Sequence, residues 1–165
     1  MECPQKLPFA YSLVPTVATF LTTSGSANTE LPNMAIRQAT RGVDVTAIWA
    51  AGRGSALTTI SGIAFRVRRW TTAGSGGTSI TPQPRRIGTT ASTTATSSET
   101  AITAGTVSGA YQVAFGCGAA GPGGWTARDG DYAMHLEGGS SDEFDINSIS
   151  TTTSLNIELS AEIAE

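Results

Sequence analysis

The chain has 165 residues, 39% of them hydrophobic, and a formal net charge of −3 at pH 7. That length suits one domain, with a core large enough to stand without disulfides or metals. The charge argues against a general polyanion binder, and no apolar run reaches the length of a membrane span.

Nineteen glycines and seven prolines leave few windows for an uninterrupted helix. Ser and Thr make up about a quarter of the chain, and Thr, Val, Ile and the aromatics favour a pleated, half-buried surface. Short strands joined by many turns are expected.

Residues 1–28 read as an N-terminal arm or first strand. Phe9, Tyr11 and Leu13 alternate onto one side, Pro8 and Pro15 interrupt the apolar stretch, and Thr22–Asn28 is rich in turn residues. The remaining residues, 29–165, read as one domain. Val43, Val45, Ala47 and Trp49 alternate as a strand, and Leu57–Trp70 carries the longest strand signal. In it Ile63, Phe65 and Val67 form an apolar face, and Ala64, Arg66 and Arg68 form the other.

Between Thr71 and Gly109 the chain is dominated by Gly, Ser, Thr and Pro. Exposed loops are expected there, with short strands near Ser79–Pro82 and Ala101–Ala104. Alternation returns at Tyr111, Val113 and Phe115, breaks over Gly116–Gly124, and resumes after the Asp129-Gly130 turn with Tyr132, Met134 and Leu136. Phe144 and Ile146 follow, with Ile149 off-phase by one, which predicts a bulge. Leu155, Ile157, Leu159, Ala161 and Ile163 make a long last strand. Eight or so strands in this pattern predict an all-β chain: a single-domain β-sandwich, jelly-roll-like, with long Ser/Thr/Gly-rich loops.

No pattern assembles a catalytic site. His135 is the single histidine and has no nucleophile motif near it. Asp129, Asp131, Asp142, Glu143 and Asp145 lack the spacing of a calcium loop and fit turn chemistry. The glycine-rich pieces match neither a dinucleotide fingerprint nor a P-loop, and Cys3 and Cys117 give no metal spacing. Neither cofactor, metal nor enzymatic activity is expected. Trp49, Trp70 and Trp125 suit a core or an oligomer interface, or alternatively sugar stacking.

Charge is uneven along the chain. Eight of ten basic residues lie between Arg37 and Arg86, and nine of thirteen acidic residues lie at or after Asp129. The bland reading is two solvated faces; the sharper one is a subunit that meets neighbours of opposite sign. The sharper reading places an interface at Arg66, Arg68, Arg69 and Trp70, with Arg85 and Arg86. Arg66, Arg68 and Arg69 beside Trp70 also have the look of a nucleic-acid surface. The negative net charge and single lysine argue against that use.

The order of features is itself informative. An arginine-bearing strand, Gly62–Trp70, precedes a Thr/Ser/Ala tract with prolines. A Gly-Pro-Gly-Gly-Trp125 loop, a Leu-Glu-Gly-Gly turn at Leu136–Gly139 and the final strand Ser154–Ile163 then follow. From about Pro32 to Glu165 this resembles the small virion proteins of tailed bacteriophages, including capsid cement (decoration) proteins. The resemblance implies a β-sandwich or jelly-roll subunit on the capsid surface, assembled in the host cytoplasm. It also implies a homotrimer with the major capsid protein as partner, and neither nucleic acid nor membrane. A tail or fibre component and a carbohydrate-binding β-sandwich remain the alternatives.

Overall fold

A computed structural model describes residues 10–15, 21–22, 30–37, 40–53, 63–85, 96–106, 111–118, 121–127, 133–149 and 156–165. Their regular structure is entirely β. In chain order the strands are β1 (Ala10–Leu13), β2 (Leu21–Thr22), β3 (Glu30–Arg37), β4 (Val43–Arg53), β5 (Ile63–Trp70), β6 (Ser75–Ile80) and β7 (Gln83–Pro84). Then come β8 (Thr96–Thr103), β9 (Tyr111–Cys117), β10 (Gly123–Thr126), β11 (Met134–Leu136), β12 (Glu143–Ile149) and β13 (Asn156–Ala164).

They form two antiparallel sheets. The seven-stranded sheet runs β10-β4-β13-β1-β7, with β11 also on β4 and β2 on β13; the six-stranded sheet runs β6-β8-β3-β12-β5-β9. One apolar cluster joins their inner faces. The seven-stranded sheet contributes Tyr11, Leu13, Val43, Val45, Ile48, Leu136, Ile157, Leu159 and Ile163, and the six-stranded sheet Met34, Ile36, Ile63, Phe65, Val67, Phe144 and Ile146. This is a β-sandwich. Its strand segments outnumber the eight of a simple jelly roll.

The described apolar residues of β5, β11 and β13 meet in this core, with Tyr132 and Leu155 outside the described residues. On β9 Val113 and Phe115 are partly buried against it, whereas Tyr111, expected in line with them, is exposed. β1 is a sandwich strand, seated between β13 and β7, with Tyr11 and Leu13 buried.

A bulge on β9 pairs Val67 with Val113 and Arg68 with Tyr111, so Gln112 is extra and Tyr111 joins the outer face. Two further bulges displace side chains from the expected faces. On β4, Ala47 pairs with Glu162 and Val45 with Ile163, so Thr46 is the extra residue; its hydroxyl donates to the Glu162 carbonyl at 3.3 Å. Beyond it the phase reverses. Ile48 and Ala50 point inward, and Trp49, expected in line with Val43 and Val45, faces out. The second bulge lies on β3. β12 keeps unbroken register with β5 but shifts against β3 between Ile146 and Asn147, which leaves Asn33 as the extra residue. The Asn33 side chain accepts from the Ser148 N–H at 3.1 Å, supplying a partner that the broken ladder withholds. Ile149 simply lies on the other face of β12.

The tract Thr71–Gly109, expected as loop with short strands, holds six-residue β6 and eight-residue β8. Their Ser, Thr and Gly carry little apolar alternation because β6 is exposed from Ser75 to Ser79. The positive φ of Gly76 and Gly77, 72° and 87°, coincides with the register break against β8. β3 and β10 were also not anticipated.

Chain crossings close both sides of the sandwich. β6 passes to β7 through Thr81-Pro82, and β9 passes to β10 across a Gly118–Gly121 bridge. At the second corner a Cβ on Gly123 would lie 1.8 Å from the Gly116 carbonyl oxygen, so only glycine permits the approach.

Phe144 is 1% exposed and lies on the inner face of a central strand. Phe144→Ala should lower the unfolding free energy by about 3–5 kcal/mol. Urea denaturation measures this, and a loss under about 1 kcal/mol would show that the two sheets do not share this core.

Candidate functional site

All seven residues of β12 are buried, although Glu143, Asp145, Asn147 and Ser148 are polar. β12 is central in its sheet, between β3 and β5. Phe144 and Ile146 point into the core, so Glu143, Asp145 and Asn147 point outward. They remain buried because a polar layer covers them. Its members follow from register: Arg37 and Trp70 lie opposite Glu143, Arg68 opposite Asp145, and Arg66 opposite Asn147.

Glu143 accepts from Arg37 Nε, and from the Gly74 N–H at 3.2 Å. Trp70 Nε1 donates to Asp145 Oδ2 at 2.7 Å. The turn after β5 is held over this end, where the Thr106 N–H donates to the Thr72 carbonyl at 3.0 Å. A Cβ on Gly105 would meet Trp70 Cβ at 2.6 Å. Beside the carboxyls lies a stacked row. The Arg68 guanidinium sits 4.9 Å from the Trp70 ring and 4.4 Å from the Tyr111 ring, and the Arg66 guanidinium lies 5.0 Å from the Tyr111 ring. Glu30 ties the row together. Its carboxylate accepts from the Tyr111 hydroxyl and from Arg66 Nη1 at 3.2 Å, and lies 3.5 Å from Arg68 Nη2. Arg68 Nη2 also donates to the Tyr111 oxygen.

Burial pushes the Asp145 carboxyl from its ordinary 3.8 up to about 8. A hydrogen bond and the charge of Glu143 add to the rise, while Trp70 and Arg37 oppose it. Asp145 therefore keeps its proton at neutral pH. Paired carboxyls with separated acidities are the raw material of acid–base catalysis. Here both are 0% exposed, so substrate has no path to them without lifting Trp70 and the 72–74 turn. The arrangement is a sealed polar layer.

The six residues expected at an interface do not share one surface. Arg66, Arg68 and Trp70 stand together on the outer face of β5. Arg69 has the opposite parity, and at the strand end its Nε donates to Asp142 at 2.9 Å. Arg85 lies at the seven-stranded sheet and pairs with Glu162. Arg86 falls outside the described residues. Arg37–Glu143, Arg69–Asp142 and Arg85–Glu162 join the basic middle of the chain to its acidic end. Much of the charge asymmetry is thus matched within the molecule.

Glu30, Arg37, Tyr111, Glu143, Asp145 and Asn147 belong to the layer and were not singled out together from the sequence. The alternation Glu143-x-Asp145-x-Asn147 was the available signal, and turn chemistry accounted for it too readily.

His135 lies on the outer face of the seven-stranded sheet, Nδ1 2.7 Å from Asp44 Oδ1, with both side chains about half exposed. Cys117 is a buried free thiol whose pKa is raised by burial, which disfavours the reactive thiolate. Trp125 packs against the core and Trp49 is exposed. Among the described residues no group of three His, Cys, Asp or Glu is placed to hold a metal, and no helix is long and apolar enough to cross a membrane.

The chain matches no protein-family model, no curated protein and no solved structure.

Because the folded pKa of Asp145 lies above its unfolded value, folding takes up a proton between pH about 4 and about 8. Its stabilising contribution is complete below that window and is lost as pH rises through it. Asp145→Asn can still accept from Trp70 and cannot ionise. The variant should flatten the fall in urea midpoint from pH about 5 to about 9. A wild-type midpoint that instead rises steadily over that range would contradict the protonated carboxyl.

Proposed function

We propose that this protein is a bacteriophage virion structural protein, a capsid cement (decoration) subunit that binds the assembled head lattice and stabilises it. The observation that carries the reading is the contrast between a sealed interior and sticky outer faces. The carboxyls that look catalytic are inaccessible, whereas Trp49, Tyr111 and Arg66 are exposed on the outer sheet faces. Trp, Tyr and Arg are the residue types that most often anchor protein–protein contacts. The resemblance of the chain from about Pro32 to Glu165 to small virion proteins supplies the choice of partner, the major capsid protein.

A ligand that binds the assembled lattice better than its free subunits stabilises the lattice by mass action. Copies set around a symmetry axis multiply weak contacts, so individual affinity need not be high. A homotrimer suits a threefold or quasi-threefold position. The sandwich supplies rigidity, with chain crossings closing both of its sides.

A carbohydrate-binding role is the second reading, and one feature favours it. The Trp49 ring is exposed and lies along Gly124, where an added Cβ would come within 2.8 Å of Trp49 Cδ1. An exposed indole beside a residue without a side chain offers a stacking platform for a sugar ring.

Heads lacking the protein, mixed with purified protein, should become decorated and resist heat better, while isolated capsid subunits should bind it poorly. Occupancy by electron microscopy and the temperature of DNA release measure this. Binding to a glycan array with no binding to heads would replace the first reading by the second.

A further inference from the structure

One piece of chain covers the buried carboxyls of β12. β6 and β8 form an antiparallel ribbon whose near half, Thr78–Ile80 with Ser97–Glu99, lies in the six-stranded sheet, where Thr96–Glu99 pairs with β3. The register breaks between Gly76 and Thr78, and Gly76 and Gly77 have φ angles of 72° and 87°. Beyond the break the far half continues, with Gly76 opposite Ile102, Ser75 opposite Thr103 and Thr72 opposite Thr106. This half reaches over the outer side of the sheet. The Gly76 carbonyl accepts from Arg37 Nη1 at 3.5 Å, and the Gly74 N–H donates to Glu143 at 3.2 Å. Gly105 sits against Trp70, whose indole donates to Asp145. The two strands of the far half are close-set, since a Cβ on Gly74 would lie 1.9 Å from the Thr103 carbonyl oxygen. Thr71, Thr72, Ser75, Gly76, Thr103 and Thr106 are exposed, so polar latches rather than apolar burial hold this half down.

We propose that residues 71–76 and 102–106 form a strap, hinged at Gly76–Gly77, that stays shut while Glu143 and Asp145 carry one negative charge between them and lifts off the sheet when both are ionised. Beneath the closed strap an ionised Asp145 is badly placed. Trp70 serves its Oδ2, whereas Oδ1 is buried without a protein donor. Glu143 stands two residues along the same face of β12, and Arg37 of β3 is bonded to that carboxylate. From β5, Arg68 lies opposite Asp145 in register, but its bonds go to Tyr111 of β9 and Glu30 of β3. The Arg69–Asp142 pair lies at the strand end with the other parity. The strap itself brings backbone groups and no ionisable side chain. A second negative charge in this space calls for water. The inner side of β12 is apolar core, so water enters by displacing the strap. Opening uncovers Trp70 and two carboxylates where the closed form shows Thr, Ser and Gly. A partner on this face, whatever its identity, would meet a different surface in each state.

Hydrogen exchange followed by NMR on the isotope-labelled protein, from pH about 6 to about 8, tests this. The Gly74 N–H, the Thr106 N–H and the Trp70 indole N–H report the strap, and the amides of β4 and β13 report the core. The closed form holds the Asp145 proton up to about 8, while in water the carboxyl returns towards its ordinary 3.8. The opening equilibrium should therefore grow about tenfold per pH unit over this range, in addition to the base catalysis of exchange itself. Strap protons should also exchange ahead of the core at each pH. In Asp145→Asn the additional dependence should vanish. The wild-type series decides without any variant whether the strap opens with pH, and exchange that follows base catalysis alone would overturn the proposal. So would strap protons that exchange no faster than those of β13, because global unfolding would then be what releases the proton. An additional dependence that survives in folded Asp145→Asn would overturn it as well, by assigning the titration to another group.

Discussion

The burial of Glu143 and Asp145 on the outer side of the central strand is the constraint on which the six-stranded sheet depends. Charge taken out of water must be paired and hydrogen-bonded or neutralised. Both remedies are used within two residues of one strand. Glu143 has Arg37 and the Gly74 N–H, and Asp145 holds its proton and accepts from Trp70. Each remedy requires a particular neighbour in register, so β3 and β5 are aligned on β12 by polar chemistry outside as well as by Phe144 and Ile146 inside. A one-residue slip would place Arg37, Arg68 and Trp70 on the wrong face.

The same demand accounts for the surroundings. Trp70 bonds Asp145 at the end of β5, which brings the 72–74 turn over the carboxyls. Gly105 is small because Trp70 and the Thr72 carbonyl lie where a side chain would begin. Arg68 bridges Trp70 to Tyr111, and Tyr111 in turn reaches Glu30 at the start of β3. An outer surface that would otherwise be solvated becomes a second, polar layer stacked on the sheet. Satisfaction is not complete, because Asp145 Oδ1, Asn147 Nδ2 and Arg68 Nε are buried without protein partners. Polar atoms of this kind are where ordered water commonly completes a network.

The layer also shapes the functional reading. Arginines held by stacking and by carboxylates are already ordered before a partner arrives, which reduces the entropy cost of binding. The opposite face is plainer, with small residues around an exposed indole and acids along β13.

The alternation of apolar residues in the sequence determined the all-β class and the inward residues of β5, β11 and β13. Those properties depend on a period of two read locally along one strand. Tertiary structure alone decided the face of Trp49, because a single bulge at Thr46 reverses every later side chain of β4. It also decided that β6 and β8 are strands, since backbone pairing organises Ser, Thr and Gly where no apolar pattern does. The polar layer was equally hidden. Glu143, Arg37, Trp70 and Tyr111 are far apart in the chain, and only the lateral register of β3, β12, β5 and β9 brings their side chains together. That register is a property of the sheet, fixed by long-range pairing.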